Sequence, residues 1–296
     1  MAFLCCALFF AAASHALELR DDRGKTLRLA VPAQRIVALA PHLAEIVFAA
    51  GAGDKLIGVV RFSDHPPAAR RLPQVGDAAR IDLERIVKLG PDLILAWRSG
   101  NSPRDVMRLE QLGFPVFVTE PARLADIPRL MRMTGALTDR QREAEQEALV
   151  FINKISMLRK LHEGKPPVRV FYEIWHQPLL TVNGAHLISD VVALCGGRNV
   201  FAHVPALTPA VSLEAVLAAQ PEAILGGSSA GGEREFIAQW RKVAVDGLRS
   251  TPAFYVAPDS IQRQTPRIAE GAAVICEHLD KVRAKRRQSA SAGSKD

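Results

Sequence analysis

One short pattern occurs twice in this chain, and it restricts the possible folds more than any other feature. Residues 81–95 read IDLERIVKLGPDLIL, and residues 211–225 read VSLEAVLAAQPEAIL. Each copy predicts a capped helix, a turn built on Pro and an acidic residue, and a buried strand. The repeat indicates two units of similar local structure. The alternative explanation is that any α/β unit converges on this order of residue types.

Short apolar segments alternate with helical segments in both halves of the chain. In the first half, strands are predicted over 35–39, 56–60, 93–97 and 115–119, and helices over 42–50, 81–89 and 103–112. In the second half, strands are predicted over 168–174, 223–226 and 254–256, and helices over 187–195 and from 212 onward. A hairpin turning at 22–24 precedes the first strand. Such alternation predicts parallel sheets covered by helices on both faces.

A long stretch without helix breakers separates the two halves. Residues 138–165 contain no Pro or Gly before Gly164, and Thr138 or Asp139 is a suitable N-cap. We therefore expect an N-terminal α/β lobe over 17–137, a connecting helix over 138–165 and a C-terminal α/β lobe over 166–280. A length of 296 residues with 48% apolar residues is sufficient for two such cores.

The positive charge of the chain is concentrated at its C-terminus. Residues 281–296 contain six basic residues and one acid, so they contribute +5 of the formal charge of +7 and leave +2 for the remainder. We expect this segment to be a disordered, solvated tail. The rest of the chain lacks the excess of basic residues that nucleic-acid binding requires, so we expect no nucleic-acid partner.

The N-terminus resembles a secretory signal peptide. The apolar run FLCCALFFAAA at 3–13 is followed by Ser14-His15-Ala16, a small-x-small pattern that predicts cleavage after Ala16. A buried N-terminal helix is the alternative. Cleavage leaves Cys195 and Cys276 as the cysteines of the mature chain. An oxidising compartment favours a disulfide between them, although two separate buried thiols remain an alternative.

Several motifs resemble, in their order and spacing, the periplasmic cobalamin-binding proteins of ABC importers. They are RFSDHPP at 61–67, VGD at 75–77, LERIVKLGPDLILAWRSGN at 83–101, LCGGRNVF at 194–201, VSLE at 211–214, and TPR at 265–267 with Asp259. That family belongs to the helical-backbone, or class III, periplasmic binding proteins, which include siderophore and haem binders. The resemblance implies two Rossmann-like lobes joined by a long helix, a periplasmic location and a monomer that needs no cofactor.

The resemblance also implies a ligand site between the lobes. The family holds a large corrinoid mainly between aromatic side chains, because much of the corrinoid surface is apolar. The candidate ligand-binding residues here are Phe62, Trp97, Trp175, Asp259 and Arg263. Trp97 directly follows an apolar run, so an ordinary core position is an equal alternative for it.

A docking role for the repeated acid is implied in the same way. One acidic residue of each lobe in this family contacts arginines of the two permease subunits, and the matching residues are Glu84 and Glu214. Arg–carboxylate contacts are geometrically specific, so we expect these residues to set the register on a permease dimer. A carboxylate in the first turn of a helix is also stabilised by the helix dipole, and simple capping is the alternative.

Three departures from the family pattern weaken the assignment of the ligand. Ala78, Thr208 and Ser260 stand where the best-known cobalamin binders have tryptophans. Haem or a ferric siderophore is therefore an alternative ligand.

The histidines and glycines bear on two further classes of function. A metal-ion importer component would use loop histidines, for which His42, His65 and His176 are the plausible candidates. The chain has no H-E-x-x-H and no Cys pair at metal spacing, and its paired glycines at 226–227 and 231–232 lack the Lys-Ser/Thr of a P-loop. We therefore expect neither a metal site nor an enzyme.

Overall fold

The computed structural model describes residues 17–227 and 232–292, so the proposed leader at 1–16 lies outside the described part. The first lobe opens with an antiparallel hairpin, whose turn at 22–24 confirms the prediction. A four-stranded parallel sheet follows in the order β4-β3-β5-β6. The elements are β1 (Leu17–Arg20), β2 (Thr26–Leu29), β3 (Ile36–Ala38), α1 (Pro41–Ala49), β4 (Leu56–Val59), α2 (Leu83–Leu89), β5 (Leu93–Trp97), α3 (Pro103–Gln111), β6 (Val116–Thr119) and α4 (Asp126–Thr138).

The second lobe repeats the topology of the first. Its parallel sheet has the order β10-β9-β7-β8, so in each lobe the first strand is central, the second lies on one side, and the third and fourth lie on the other. The elements after the connecting helix α5 (Gln141–His162) are β7 (Val168–Glu173), α6 (Leu187–Leu194), β8 (Gly197–Asn199), α7 (Leu213–Ala218), β9 (Ala223–Gly226), α8 (Gly232–Arg241), α9 (Asp246–Arg249), β10 (Ala253–Tyr255), α10 (Pro258–Ile261) and α11 (Ile268–Ala292). The expected α/β class with two parallel sheets is confirmed.

The repeated pattern forms the same local structure in both lobes. The Asp82 side chain accepts the N–H of Arg85 at the start of α2, and the Ser212 hydroxyl caps α7 in the same way. Both helices lead into a residue with positive φ, 56° at Gly90 and 48° at Gln220. Position by position, 81–95 and 211–225 show the same order of buried, half-buried and exposed side chains. The two copies are therefore structural equivalents.

The acid that follows each Pro joins its turn to the start of the neighbouring strand. Asp92 accepts the backbone N–H of Arg35 at 2.8 Å, and Glu222 accepts that of Arg169 at 2.9 Å. Arg35 and Arg169 in turn donate through Nε to the last carbonyl before the Pro, at 3.1 and 2.7 Å. The acid occurs in both copies because it satisfies backbone donors at the start of the central strand of each sheet.

The connecting helix begins later than predicted. Thr138 ends α4 instead of capping α5, because Asp139 has a φ of 56° and interrupts the helix. The buried ammonium group of Lys55 donates to the carbonyl of Thr138 and satisfies the end of α4. The predicted connecting helix is thus α5 alone, which forms a helical hairpin with α4, and the apolar faces of both helices join the cores of the two lobes in one cluster.

The expected disorder of residues 281–296 is wrong for residues 281–292, which continue α11. The guanidinium of Arg283 is buried and donates to the carbonyls of Pro166, Cys195 and Gly196 at 2.8, 2.8 and 3.0 Å. Val282 is also buried. This part of the basic segment therefore belongs to the second lobe.

No helix among the described residues is both long and apolar enough to cross a membrane.

Candidate functional site

Exposed aromatic side chains follow a strand in each lobe, at the carboxyl end of the parallel sheet. Phe62 comes three residues after β4 and leaves 61% of its surface exposed. Its φ of 69° is a left-handed conformation that costs an L-residue about 1–2 kcal/mol. The Arg61 guanidinium lies 4.7 Å from the centre of the ring. An exposed aromatic on strained backbone is a feature of binding loops.

Trp175 occupies the corresponding place in the second lobe, two residues after β7. The side chain is 53% exposed, and its indole N–H donates to the carbonyl of Gln177 at 2.9 Å. The loop is fixed by Glu173, which is buried and accepts the indole N–H of Trp240 at 2.7 Å. The ring of Trp175 is thus held at the carboxyl end of the second sheet, with about half of its surface exposed.

Arg263 joins the two lobes at the same edge. It follows α10 in the second lobe and donates to Asp259 of its own lobe at 2.9 Å. Across the lobes it donates to Glu45 at 2.9 Å and to Asp64 at 2.7 Å. Burial raises the pKa of Asp64, but the hydrogen bond and charge of Arg263 outweigh this and hold that pKa below its ordinary value. Burial likewise lowers the pKa of Arg263, and the bonds to Asp64 and Glu45 raise it overall.

Glu45 and Arg267 are members of this cluster that sequence reasoning missed. Arg267 donates to both carboxylate oxygens of Glu45, at 2.9 and 2.7 Å. The sequence did contain a signal for Glu45, which stands between Ala44 and Ile46 at a position where the helical spacing of α1 predicts burial. A charge on an apolar helix face needs a partner from another element.

Trp97 is less accessible than the other two proposed aromatics. It is half-buried, and its ring meets that of His42 edge-on, with centroids 5.1 Å apart. The glycine at 100 permits this position, since a Cβ there would lie 1.8 Å from the indole. Burial, followed by the charge of Arg263, lowers the pKa of His42 to about 3, so the imidazole is neutral. The packing favours the core alternative for Trp97.

Glu84 and Glu214 lie in the first turns of α2 and α7, and both are exposed. A hydrogen bond from the Ser212 hydroxyl holds the pKa of Glu214 below its ordinary value. One turn further on, each helix exposes an apolar side chain, Val87 at 49% and Leu217 at 39%. Each lobe therefore presents an acid beside an apolar residue at equivalent positions.

Cys195 and Cys276 form a disulfide, which is the pairing that the sequence favoured. The sulfur atoms of Cys195 and Cys276 are 2.06 Å apart, and both residues are buried. The bond joins the end of α6 to α11.

The three histidines considered for a metal do not converge, and His42 lies on α1 and not in a loop. His42 packs on Trp97, and a ring nitrogen of His176 meets the amide of Gln239. Over 17–227 and 232–292 no group of three His, Cys, Asp or Glu residues is arranged to hold a metal ion.

Comparison with known proteins gives consistent matches. The family described as periplasmic binding protein matches residues 36–256. A vitamin B12-binding protein of Vibrio parahaemolyticus is 36% identical over 255 residues, which cover 86% of this chain and 92% of that protein. The solved periplasmic vitamin B12-binding protein BtuF of Vibrio cholerae is 33% identical with a TM-score of 0.77, covering 85% of this chain and 98% of that one. The heme-binding protein RhuT of Roseiflexus sp. RS-1 shares the fold at a TM-score of 0.74 and 22% identity, over 84% and 98% of the two chains.

Proposed function

This chain belongs to the periplasmic binding protein family, and we propose that it captures cobalamin or a related corrinoid between its lobes for an ABC importer. The observation that carries this proposal is the 36% identity to a vitamin B12-binding protein over nearly the whole length of both chains. Family membership places the chain among binding proteins and not among enzymes. We further propose that residues 1–16 are the signal that directs export.

The geometry supports a large, partly apolar ligand. Phe62 and Trp175 offer exposed rings at the carboxyl ends of the two sheets, where open parallel sheets bind their ligands. Asp259 and Arg263 supply polar groups at the edge where the lobes meet. Trp97 remains a candidate contact only through the exposed part of its ring. Rings for stacking and a few polar groups for orientation are what a corrinoid site requires.

Binding assays with the chain starting at residue 17 test the ligand. Cyanocobalamin, cobinamide, haem and ferric siderophores are titrated while intrinsic tryptophan fluorescence and binding heat are recorded. We expect Phe62→Ala and Trp175→Ala each to weaken corrinoid binding roughly tenfold, since each removes an aromatic contact. Met157→Ala is the matched control, because Met157 is also exposed and apolar but lies on α5. Saturation by haem or a siderophore without corrinoid binding would refute the proposed corrinoid ligand. It would support the alternative ligand that the departures at Ala78, Thr208 and Ser260 indicate.

We also propose that Glu84 and Glu214 dock the two lobes on a permease dimer. Support comes from the equivalence of the two sites, each with an exposed acid one turn before an exposed apolar residue. A pair of equivalent surfaces suits a partner with twofold symmetry. The neighbouring residues Val87 and Leu217 would contact apolar permease surface around each Arg–carboxylate pair.

A double substitution tests the docking role. In Glu84→Ala/Glu214→Ala we expect ligand affinity to be unchanged and transport in reconstituted vesicles to drop by at least about tenfold, because two charge-assisted contacts are lost. Glu147→Ala on the exposed side of α5 is the control and should transport normally. Transport at the wild-type rate in the double variant would refute the docking role.

A further inference from the structure

We propose that Glu45 is a positioning residue that holds Arg263 and Arg267 of the second lobe against the first lobe and thereby sets the separation of the lobes and the direction of Arg263. The part that concerns the ligand rests on the proposed function. Glu45, Arg263 and Arg267, with Asp64, are called the interlobe latch below.

Glu45 is buried and depends on the second lobe for its partners. Its side chain lies on α1 between residues of the apolar core, and the residue is only 4% exposed. A carboxylate in such a place is strongly disfavoured unless it is paired and hydrogen-bonded. Its hydrogen-bond donors are three guanidinium N–H groups of the other lobe, one of Arg263 at 2.9 Å and two of Arg267 at 2.9 and 2.7 Å. The charge of Glu45 is therefore compatible with its surroundings only when the second lobe is in place.

The latch also holds the loop that presents Phe62. Asp64, two residues later, accepts from Arg263 at 2.7 Å. Arg70 donates to the backbone carbonyl of Asp64 at 3.1 Å and braces the same loop from within the first lobe. The latch therefore fixes an exposed aromatic of the first lobe relative to Arg263 of the second lobe.

Three carboxylates orient the guanidinium of Arg263. One terminal nitrogen is shared by Glu45 and Asp64, and the other is bound by Asp259. The side chain of Asp259 is 59% exposed and that of Asp64 is 39% exposed, whereas Glu45 is buried. Polar groups of a bound ligand can therefore compete with the two aspartates for Arg263, while Glu45 keeps the guanidinium in place. Because three carboxylates hold the Arg263 guanidinium, it needs little reorganisation when a ligand binds.

The surroundings of the latch explain why ion pairs are needed there. A cavity of about 450 Å³ borders Glu45 and Arg267, and α1, α5, the His65-Pro66 loop and Pro266 line it. Apolar side chains do not fill the space between the lobes at this point. The latch thus provides the contact that packing provides elsewhere along α5.

Glu45→Gln tests the proposal, because Gln keeps the shape of the side chain and removes its charge. Nitroxide pairs at Met107→Cys and Lys242→Cys, exposed sites in the two lobes, report the interlobe distance without ligand. We expect a broader distance distribution and roughly tenfold weaker cyanocobalamin binding in Glu45→Gln. Glu147→Gln, an exposed acid lining the same cavity, is the matched control and should behave as wild type.

A second variant separates positioning from general stability. In Glu45→Gln/Arg267→Gln no guanidinium is left without its carboxylate, so thermal stability should recover relative to Glu45→Gln. The wide distance distribution and the weakened binding should persist. A narrow, wild-type distribution in both variants would overturn the latch. Failure of the wild-type chain to bind any corrinoid would instead refute the proposed ligand, since the ligand-free distance measurement still decides the latch.

Discussion

Removal of the Cys195–Cys276 disulfide should destabilise the second lobe strongly, and the size of the effect follows from its place in the chain. The two cysteines are 81 residues apart. For a closed loop of that length the chain-entropy relation gives about 4.5 kcal/mol at 25 °C. Both residues are buried, so truncation to Ala adds a small cavity term of about 1 kcal/mol. For Cys195→Ala/Cys276→Ala we expect a total loss of about 5–6 kcal/mol and a fall in Tm of roughly 10 °C.

The structure also locates the effect. Two neighbouring contacts hold α11 to the end of α6. One is the disulfide, and the other is the pair of hydrogen bonds from Arg283 to the carbonyls of Cys195 and Gly196. Loss of the bond should therefore increase hydrogen exchange in α11 more than in the first lobe. The helix as a whole should remain, because its first half is anchored by buried apolar residues such as Ile275 and Leu279.

Urea unfolding of the chain starting at residue 17 provides the assay. The double variant should show a lower midpoint and a steeper dependence on urea, because its unfolded state is no longer cross-linked. Wild-type protein treated with a reductant is the control and should lose a similar amount. A loss below about 1 kcal/mol would refute the entropic argument, since the relation gives about four times that for this loop. Two reactive thiols in the denatured, unreduced chain would show that no bond exists.

Two further predictions concern rigidity and pH. The helix α5 connects the lobes, a core cluster spans both of them, and the interlobe latch holds them together. X-ray scattering curves of the free and ligand-saturated protein should therefore nearly superimpose, and a clear contraction on saturation would contradict this. Burial lowers the pKa of His42 to about 3 and that of His186 to about 4, so the unfolded chain binds more protons below its own histidine pKa of about 6.5. Stability should therefore be complete above pH 6.5 and fall by roughly 2–3 kcal/mol per histidine as the pH drops to about 4.5. His42→Gln should flatten this decline in pH-dependent urea midpoints, and an unchanged slope would show that His42 does not contribute.

Local chemistry was sufficient to predict most elements of the fold. The strands and helices around the repeat were expected within one or two residues, because caps, periodicity and the Pro-acid turn act within a few residues of one another. The equal burial of both copies has the same origin. The equivalence of Glu84 and Glu214 could be predicted for the same reason, since each is part of the repeated helix, whereas their docking role was implied only by the resemblance to the family. Their role stays a prediction.

Tertiary packing overrode the local signals at two places. Residues 281–292 have a composition typical of a solvated tail, yet they are helical because Arg283 finds three backbone carbonyls on other elements. The segment from Thr138 has helical composition, yet the chain turns at Asp139 so that α4 and α5 can pack against each other.

The sequence by itself determined two similar α/β lobes, their repeated turns and a cysteine pair that could bond. Only the tertiary structure decided which side chains meet between the lobes. Glu45 and Arg267 are 222 positions apart in the chain. A pairing over that distance depends on how α1 and the segment before α11 are brought together by the packing of whole lobes. Helical periodicity and capping carry no information about that arrangement, because they act only over neighbouring turns.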